Sequence, residues 1–195
     1  MKKSVYIVAI SCVCCMLAGC RTSQNTSNVA SNSNAAESLL TEDFKRNFHD
    51  ITIGDTEFSL PGDFSELEAL GFTAKDTQEV GTTPVSVSLE KENDSVKAYL
   101  VAGGKKNTVP VQEAKIVSLL ASKDTSEALD LTFYGGITFA STEEEVGKVL
   151  DKIESYDDGA LYGIKMGDYS FLSVSFHGGS IYDIMVANGE EYFKK

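Results

Sequence analysis

Three β-prone runs near the end of the chain, joined by two-residue links, constrain the fold more than any other feature. They are residues 160–166 (ALYGIKM), 169–177 (YSFLSVSFH) and 180–187 (SIYDIMVA), separated by Gly167-Asp168 and Gly178-Gly179. Tight hairpin turns of the primed types need positive φ, which glycine adopts without steric cost, so Gly-Asp and Gly-Gly links predict an antiparallel three-stranded meander. Alternation along a strand then sorts the side chains. If Leu172, Val174 and Phe176 point to a core, Tyr169, Phe171 and His177 point to the opposite face. On the neighbouring strand Ile181 and Met185 are expected to join them around Asp183.

A helix is expected just before the meander. Ser141-Thr142-Glu143-Glu144 fits a capping box, in which a hydroxyl accepts from the N3 amide and a glutamate reaches back. Glu143 to Glu145 complement the positive end of the helix dipole. Val146, Val149, Leu150 and Ile153 then recur at helical spacing. The first half repeats this order. Residues 51–60 read as a strand or hairpin, Pro61-Gly62-Asp63 opens a short helix with Phe64, Leu67 and Leu70 on one face, and Gly71 stops it. Strands follow near 85–90, 95–102 and 114–121, and 131–140 precedes the second helix as 51–60 precedes the first.

Antiparallel strands in blocks, with short helices on one face, make the class α+β. Strand, helix and three strands read twice is the pattern of a tandem duplication, with halves at 39–122 and 123–195. Matching Gly103-Gly104 to Gly178-Gly179 meets one objection. It sets Val96, Ala98 and Leu100, turned to the core by alternation, opposite Phe171, Ser173 and Ser175, turned outward. A one-residue slip exchanges faces, so either a bulge intervenes or the repeat is superficial.

The start of the chain carries an address. Lys2 and Lys3 precede an uncharged run from Val5 to Leu17, too short to span a bilayer as a helix, which reads as a secretory signal. It ends in Leu17-Ala18-Gly19-Cys20. This segment resembles the lipobox of bacterial lipoproteins. The resemblance implies cleavage after Gly19 and a diacylglycerol thioether on Cys20, leaving residues 1–19 as signal peptide. Two acyl chains hold a protein on a membrane where one gives only marginal binding. Residues 20–38, rich in Ser, Asn and Thr, form the lipidated cysteine and a flexible linker that cannot bury enough apolar surface to order itself. As a coil it reaches on the order of 20–25 Å. The expected location is the extracytoplasmic side of a cell membrane. Arg21 is not the aspartate that marks inner-membrane retention, so an outer-membrane site is allowed.

Several chemistries are disfavoured. Cys12, Cys14 and Cys15 lie in the signal and Cys20 is the lipid site, so the mature domain has no disulfide, thiolate metal site or cysteine nucleophile. The chain has 17 basic and 29 acidic residues, a net charge of −12. Removing Lys2 and Lys3 leaves 15 against 29, or −14, which repels phosphate backbones and anionic headgroups, so no nucleic acid partner is expected. Of the two histidines, His49 precedes the first strand and His177 ends another. Ser175, His177 and Asp183 could be drawn as a triad, but no G-x-S-x-G elbow accompanies them. Asp157-Asp158-Gly159 lacks the register of a calcium loop and reads as an acidic turn. No catalytic residue, metal site or cofactor is expected, and the chain reads as a non-enzyme.

The entry Gly136-Ile137-Thr138-Phe139-Ala140-Ser141-Thr142-Glu143-Glu144-Glu145-Val146, after a lipoprotein signal and polar linker, resembles the SmpA/OmlA (BamE-like) lipoproteins. It is also similar to the tandem-repeat β-lactamase-inhibitor protein. The likeness covers mainly residues 130–187 and more faintly 50–120. The sequence departs from the outer-membrane families in lacking a cysteine pair between helices, and no functional residues carry over. The resemblance implies a non-catalytic protein- or peptide-binding module, an inhibitor or envelope assembly factor, whose partner is an envelope or secreted protein. By strand alternation the candidate face is Tyr169, Phe171, His177, Ile181 and Met185, either open to a partner or covered by a second layer such as the other half of the chain. The alternative is a binder or sensor of a small ligand or cell-wall polysaccharide, marked by a pocket between sheet and helix. A cell-wall hydrolase comes third and would need convergent carboxylates.

Overall fold

Alternating apolar residues and turn-forming links drive most of the chain into antiparallel strands. The computed structural model describes residues 39–104 and 107–193. The signal, Cys20 and the whole linker to residue 38 lie outside the described residues.

After a short helix α1 (Glu42–Asn47), a hairpin forms from β1 (Asp50–Ile53) and β2 (Thr56–Ser59), with Gly54 at φ +60 in its turn. A two-residue β3 (Gly62–Asp63) leads into α2 (Phe64–Ala69), capped where Asp63 N–H donates to Glu66 Oε1 at 3.1 Å. Then come β4 (Thr73–Ala74), β5 (Glu79–Gly81), β6 (Val85–Lys91), β7 (Asp94–Val101), β8 (Thr108–Pro110) and β9 (Lys115–Ser122). A single turn α3 (Lys123–Ser126), β10 (Leu131–Thr132) and α4 (Glu143–Val146) precede β11 (Asp151–Tyr156). The chain ends with β12 (Gly159–Gly167), β13 (Ser170–His177), β14 (Ser180–Asn188) and a last turn α5 (Glu190–Phe193). The expected meander is present, extended by β11 into four strands.

The main sheet runs β11-β12-β13-β14-β9-β7-β6-β4, every neighbour antiparallel, with β3 pairing along β9. One face carries Tyr162, Ile164, Leu172, Val174, Phe176, Ile184, Val186, Leu119, Ala98, Leu100 and Leu89, all buried in one cluster. The same cluster takes in Phe44 and Phe48 of α1, Ile51 and Phe58 of the small sheet β10-β1-β2, Phe64 and Leu67 of α2, and Val146 and Leu150 around α4. Helices α1, α2 and α4 and the hairpin therefore pack on one face of the sheet, an arrangement consistent with an α+β or mostly-β fold.

Read outward from the β9–β14 seam, the two arms match: β7, β6, β4 on one side and β13, β12, β11 on the other. Helix α2 precedes β4 as α4 precedes β11. Setting the β6–β7 turn at Glu92-Asn93 on the β12–β13 turn at Asp168-Tyr169 pairs Val96 with Leu172, Ala98 with Val174 and Leu100 with Phe176, and all six are buried. The parity objection belongs to the Gly-Gly match, which differs from this one by one residue. Gly178-Gly179 makes a hairpin turn, whereas Gly103-Gly104 opens the loop toward β8.

Three expectations need correction. The capping box sits one residue later, with Glu145 N–H donating to Thr142 Oγ1 at 3.3 Å and Thr142 N–H to Glu145 Oε2 at 2.8 Å. Ser141 Oγ instead accepts from Thr138 N–H at 3.0 Å. The helix ends early: Leu150 closes its last turn on Val146, and Ile153 belongs to edge strand β11, as the extra residue of a bulge, 51% exposed. Finally, residues 131–140 contribute one short strand, β10, followed by a 3-10 turn at Tyr134–Gly136, where Gly135 and Gly136 take positive φ and turn the chain.

Phe176 is almost fully enclosed and meets the Tyr162 ring edge-on at 5.8 Å. Phe176→Ala is expected to lower stability by about 3–5 kcal/mol in urea unfolding. Thr142→Ala, which removes one cap, is expected to cost about 1 kcal/mol.

Candidate functional site

Because neighbouring strands place paired residues on the same side of a sheet, the register reads out the face opposite the core. Three cross-strand rows compose it. The first runs Glu154, Leu161, Ser175, Asp183, Ser122. The second runs Gly163, Ser173, Met185, Leu120, Lys97. The third runs Lys165, Phe171, Ala187, Ser118, Tyr99. Leu161, Phe171, Met185 and Leu120 are half-buried and Tyr99 is exposed, so the face presents apolar side chains to solvent.

Its relief comes from residue size. The outward residues of β13 are Ser173 and Ser175 between Phe171 and His177, which leaves a shallow trough along that strand. One wall is Leu161 together with β11. Gly163 has no side chain, and a Cβ there would lie 3.0 Å from Ile153 Cδ1, so Ile153 fills the gap. Tyr156 fills the space at Gly159 in the same way, its hydroxyl donating to the carbonyls of Phe176 at 3.0 Å and Ala160 at 3.3 Å. The other wall is Met185 and Asp183.

Asp183 is held in place. Ser122 Oγ donates to its Oδ1 at 2.5 Å, and its own N–H donates to Ser175 Oγ at 3.2 Å. Partial burial raises the Asp183 carboxyl above the ordinary range, against the Ser122 hydrogen bond and the nearby Lys97, which lower it, while Asp124 raises it further. Burial also raises the Tyr156 phenol, with help from Glu154 and Asp183, which places these two carboxylates in its electrostatic surroundings.

The five face residues read from the sequence separate. Phe171 and Met185 stand on the open face as expected. Ile181 does not: Tyr182 is an extra residue in β14, so Phe176 pairs with Ile181 and Ser175 with Asp183, and Ile181 turns fully into the core. Tyr169 lies in the β12–β13 turn, its ring stacked on Phe193 of α5 at 3.7 Å. His177 ends β13 with Nε2 3.4 Å from Asp158 Oδ2 and its ring edge-on to Tyr182. It does not meet Ser175 and Asp183 as a triad. The sequence reading missed Leu120, Leu161, Ile153 and Tyr156. Leu120 hides in the run Ile116 to Ala121, whose apolar residues do not alternate clearly.

A cavity of about 340 Å³ lies elsewhere, at the entry to α4, lined by Gly135, Gly136, Ile137, Thr138, Ala140, Ser141 and Glu145. The Glu145 carboxylate there is engaged in capping. Among the described residues no group of three or more His, Cys, Asp or Glu is placed to hold a metal ion, and no helix is long and apolar enough to cross a membrane. Neither a family model, nor a curated protein, nor a solved structure matches this chain.

A carboxyl whose folded pKa is raised binds its proton more readily folded than unfolded. Its penalty is absent below the ordinary value of 3.8 and grows as pH rises through the window above it. Asp183→Asn is therefore expected to be more stable than the parent at pH 7, with the difference vanishing near pH 3.8 in denaturant titrations across pH. A variant less stable at pH 7 contradicts this account.

Proposed function

We propose that this chain is a lipid-anchored, extracytoplasmic lipoprotein whose open sheet face binds a protein or peptide without catalysis. The observation that carries the reading is an eight-stranded path with the apolar residues of α1, α2 and α4 packed on one side and Leu161, Phe171, Met185, Leu120 and Tyr99 on the other. A soluble surface of this kind, apolar in the middle and polar at its rim, has the make-up of a partner interface. The lipobox at 17–20 and the polar linker support tethering, with the acidic domain standing clear of anionic headgroups. The mirrored arms support a tandem duplication of the strand-helix-strands unit. They also favour the likeness to the SmpA/OmlA and β-lactamase-inhibitor-like proteins.

Two experiments test the two parts. Cys20→Ala is expected to abolish the acyl mass on the mature chain and move it from the membrane to the soluble fraction; a variant still pelleting with membranes overturns the anchor. A photo-crosslinking residue at Ser173, on the face, is expected to trap a discrete protein in intact cells, while one at Glu68, exposed on α2, does not. The same adducts from both sites, or none from Ser173, overturn the open-face reading.

A further inference from the structure

The occupant of this face is constrained by charge and by shape. At the end of the sheet where β13 turns into β14, Asp124, Glu154, Asp157, Asp158 and Asp183 stand against Lys97 and Lys123, the latter paired with Glu127 at 3.7 Å, while His177 is held by Asp158. At the other end the positive charges are matched: Lys165 pairs with Asp168 and Lys115 with Asp63, each at 2.8 Å. The unmatched charge on the face is therefore negative and local. A second copy of a chain at −12 is repelled by it, as is any anionic surface. The carboxylates of Glu154 and Asp183 are three strands apart, about 14 Å at ordinary strand spacing, too far to share one metal ion.

The trough supplies the shape. Its floor is Ser173 and Ser175, and its walls are Leu161 on one side and Met185 and Asp183 on the other, with Asp183 at the acidic end. A lysine or arginine side chain has this profile: an apolar stem ending in a cation. We infer, on the open-face reading above, that the β13 trough takes a lysine or arginine side chain of a protein partner, its stem over Ser173 and Ser175 and its cation at Asp183. The carboxylate is already oriented by Ser122, so little ordering is needed on binding. Lys97, exposed and one row away, is the group that the incoming cation displaces from the neighbourhood of Asp183. Apolar residues flanking the cation in the partner rest on Leu161, Met185 and Leu120.

The test uses the full chain in detergent, labelled with nitrogen-15, and three acetylated and amidated peptides: Ala-Leu-Arg-Leu-Ala and its Gln and Glu counterparts. The Arg peptide is expected to shift the amides of Ser173, Ser175, Asp183 and Met185 with a Kd of roughly millimolar order. The Gln peptide is expected to bind about fivefold to tenfold more weakly and the Glu peptide more weakly still. Asp183→Asn is expected to erase the preference for Arg, Lys97→Met to strengthen it, and Ser173→Leu to block the trough while leaving the carboxylate in place. Retained amide dispersion in each variant reports folding. Equal binding of the Arg and Gln peptides overturns the cation assignment and leaves the open face standing. Shifts confined to residues off the face, or no shifts at all, overturn the assignment outright, while crosslinking at Ser173 reports independently on the face itself.

Discussion

The pairing of β9 with β14 is the interaction on which the rest of the molecule depends. It joins residues more than sixty positions apart: Ser122 to Asp183 at a separation of 61 and Ser118 Oγ to the Val186 carbonyl at 68. Without it each arm would keep an unpaired inner edge and half a core. Toward the helices the seam packs Leu119 beside Val186 and Ala121 beside Ile184. Toward solvent the same register sets Leu120 beside Met185 and Ser122 beside Asp183. One set of backbone hydrogen bonds thus completes the core and composes the candidate face. Closing so long a loop has an entropic cost that is recovered only when both arms are formed.

Local signals in the sequence map onto local structure well. The Gly178-Gly179 link specifies the β13–β14 turn, whereas the β12–β13 turn falls one residue later than the Gly167-Asp168 link, at Asp168-Tyr169, with Gly167 paired to Ser170; strict alternation in β13 assigns Leu172, Val174 and Phe176 to the core. What fails is whatever depends on a partner strand. Val146, Val149, Leu150 and Ile153 satisfy a helical period, yet from Asp151 onward the chain pairs with β12. That pairing offers its N–H and C=O groups partners and leaves Ile153 to bulge over Gly163. The bulge at Tyr182 likewise has no signature in the alternation of β14, and by inserting one residue it sends Ile181 inward. Tyr169 parts from the face because a turn residue does not obey strand alternation, and Phe193 is there to stack on it. The β9–β14 pairing, being non-local, leaves no mark in the sequence at all.

The composition of the open face runs against what stability alone would select. Ser and Gly pack poorly in sheets, where β-branched and aromatic residues are favoured, and glycine within a strand weakens it. Yet the interior strands β12 and β13 place Gly159, Gly163, Ser173 and Ser175 together on the solvent side. At the two glycines the loss is recovered locally by Tyr156 and Ile153 from the neighbouring edge strand. At the two serines it is not. There the side chains stay small while the walls on both sides are large. The desolvated Asp183 adds a second cost on the same strip. An uncovered sheet face that only needed solubility would carry threonines, lysines and glutamates along β13. Small residues beneath apolar walls, with a carboxylate fixed by Ser122 at one end, have the shape and charge of a seat for something that arrives from outside.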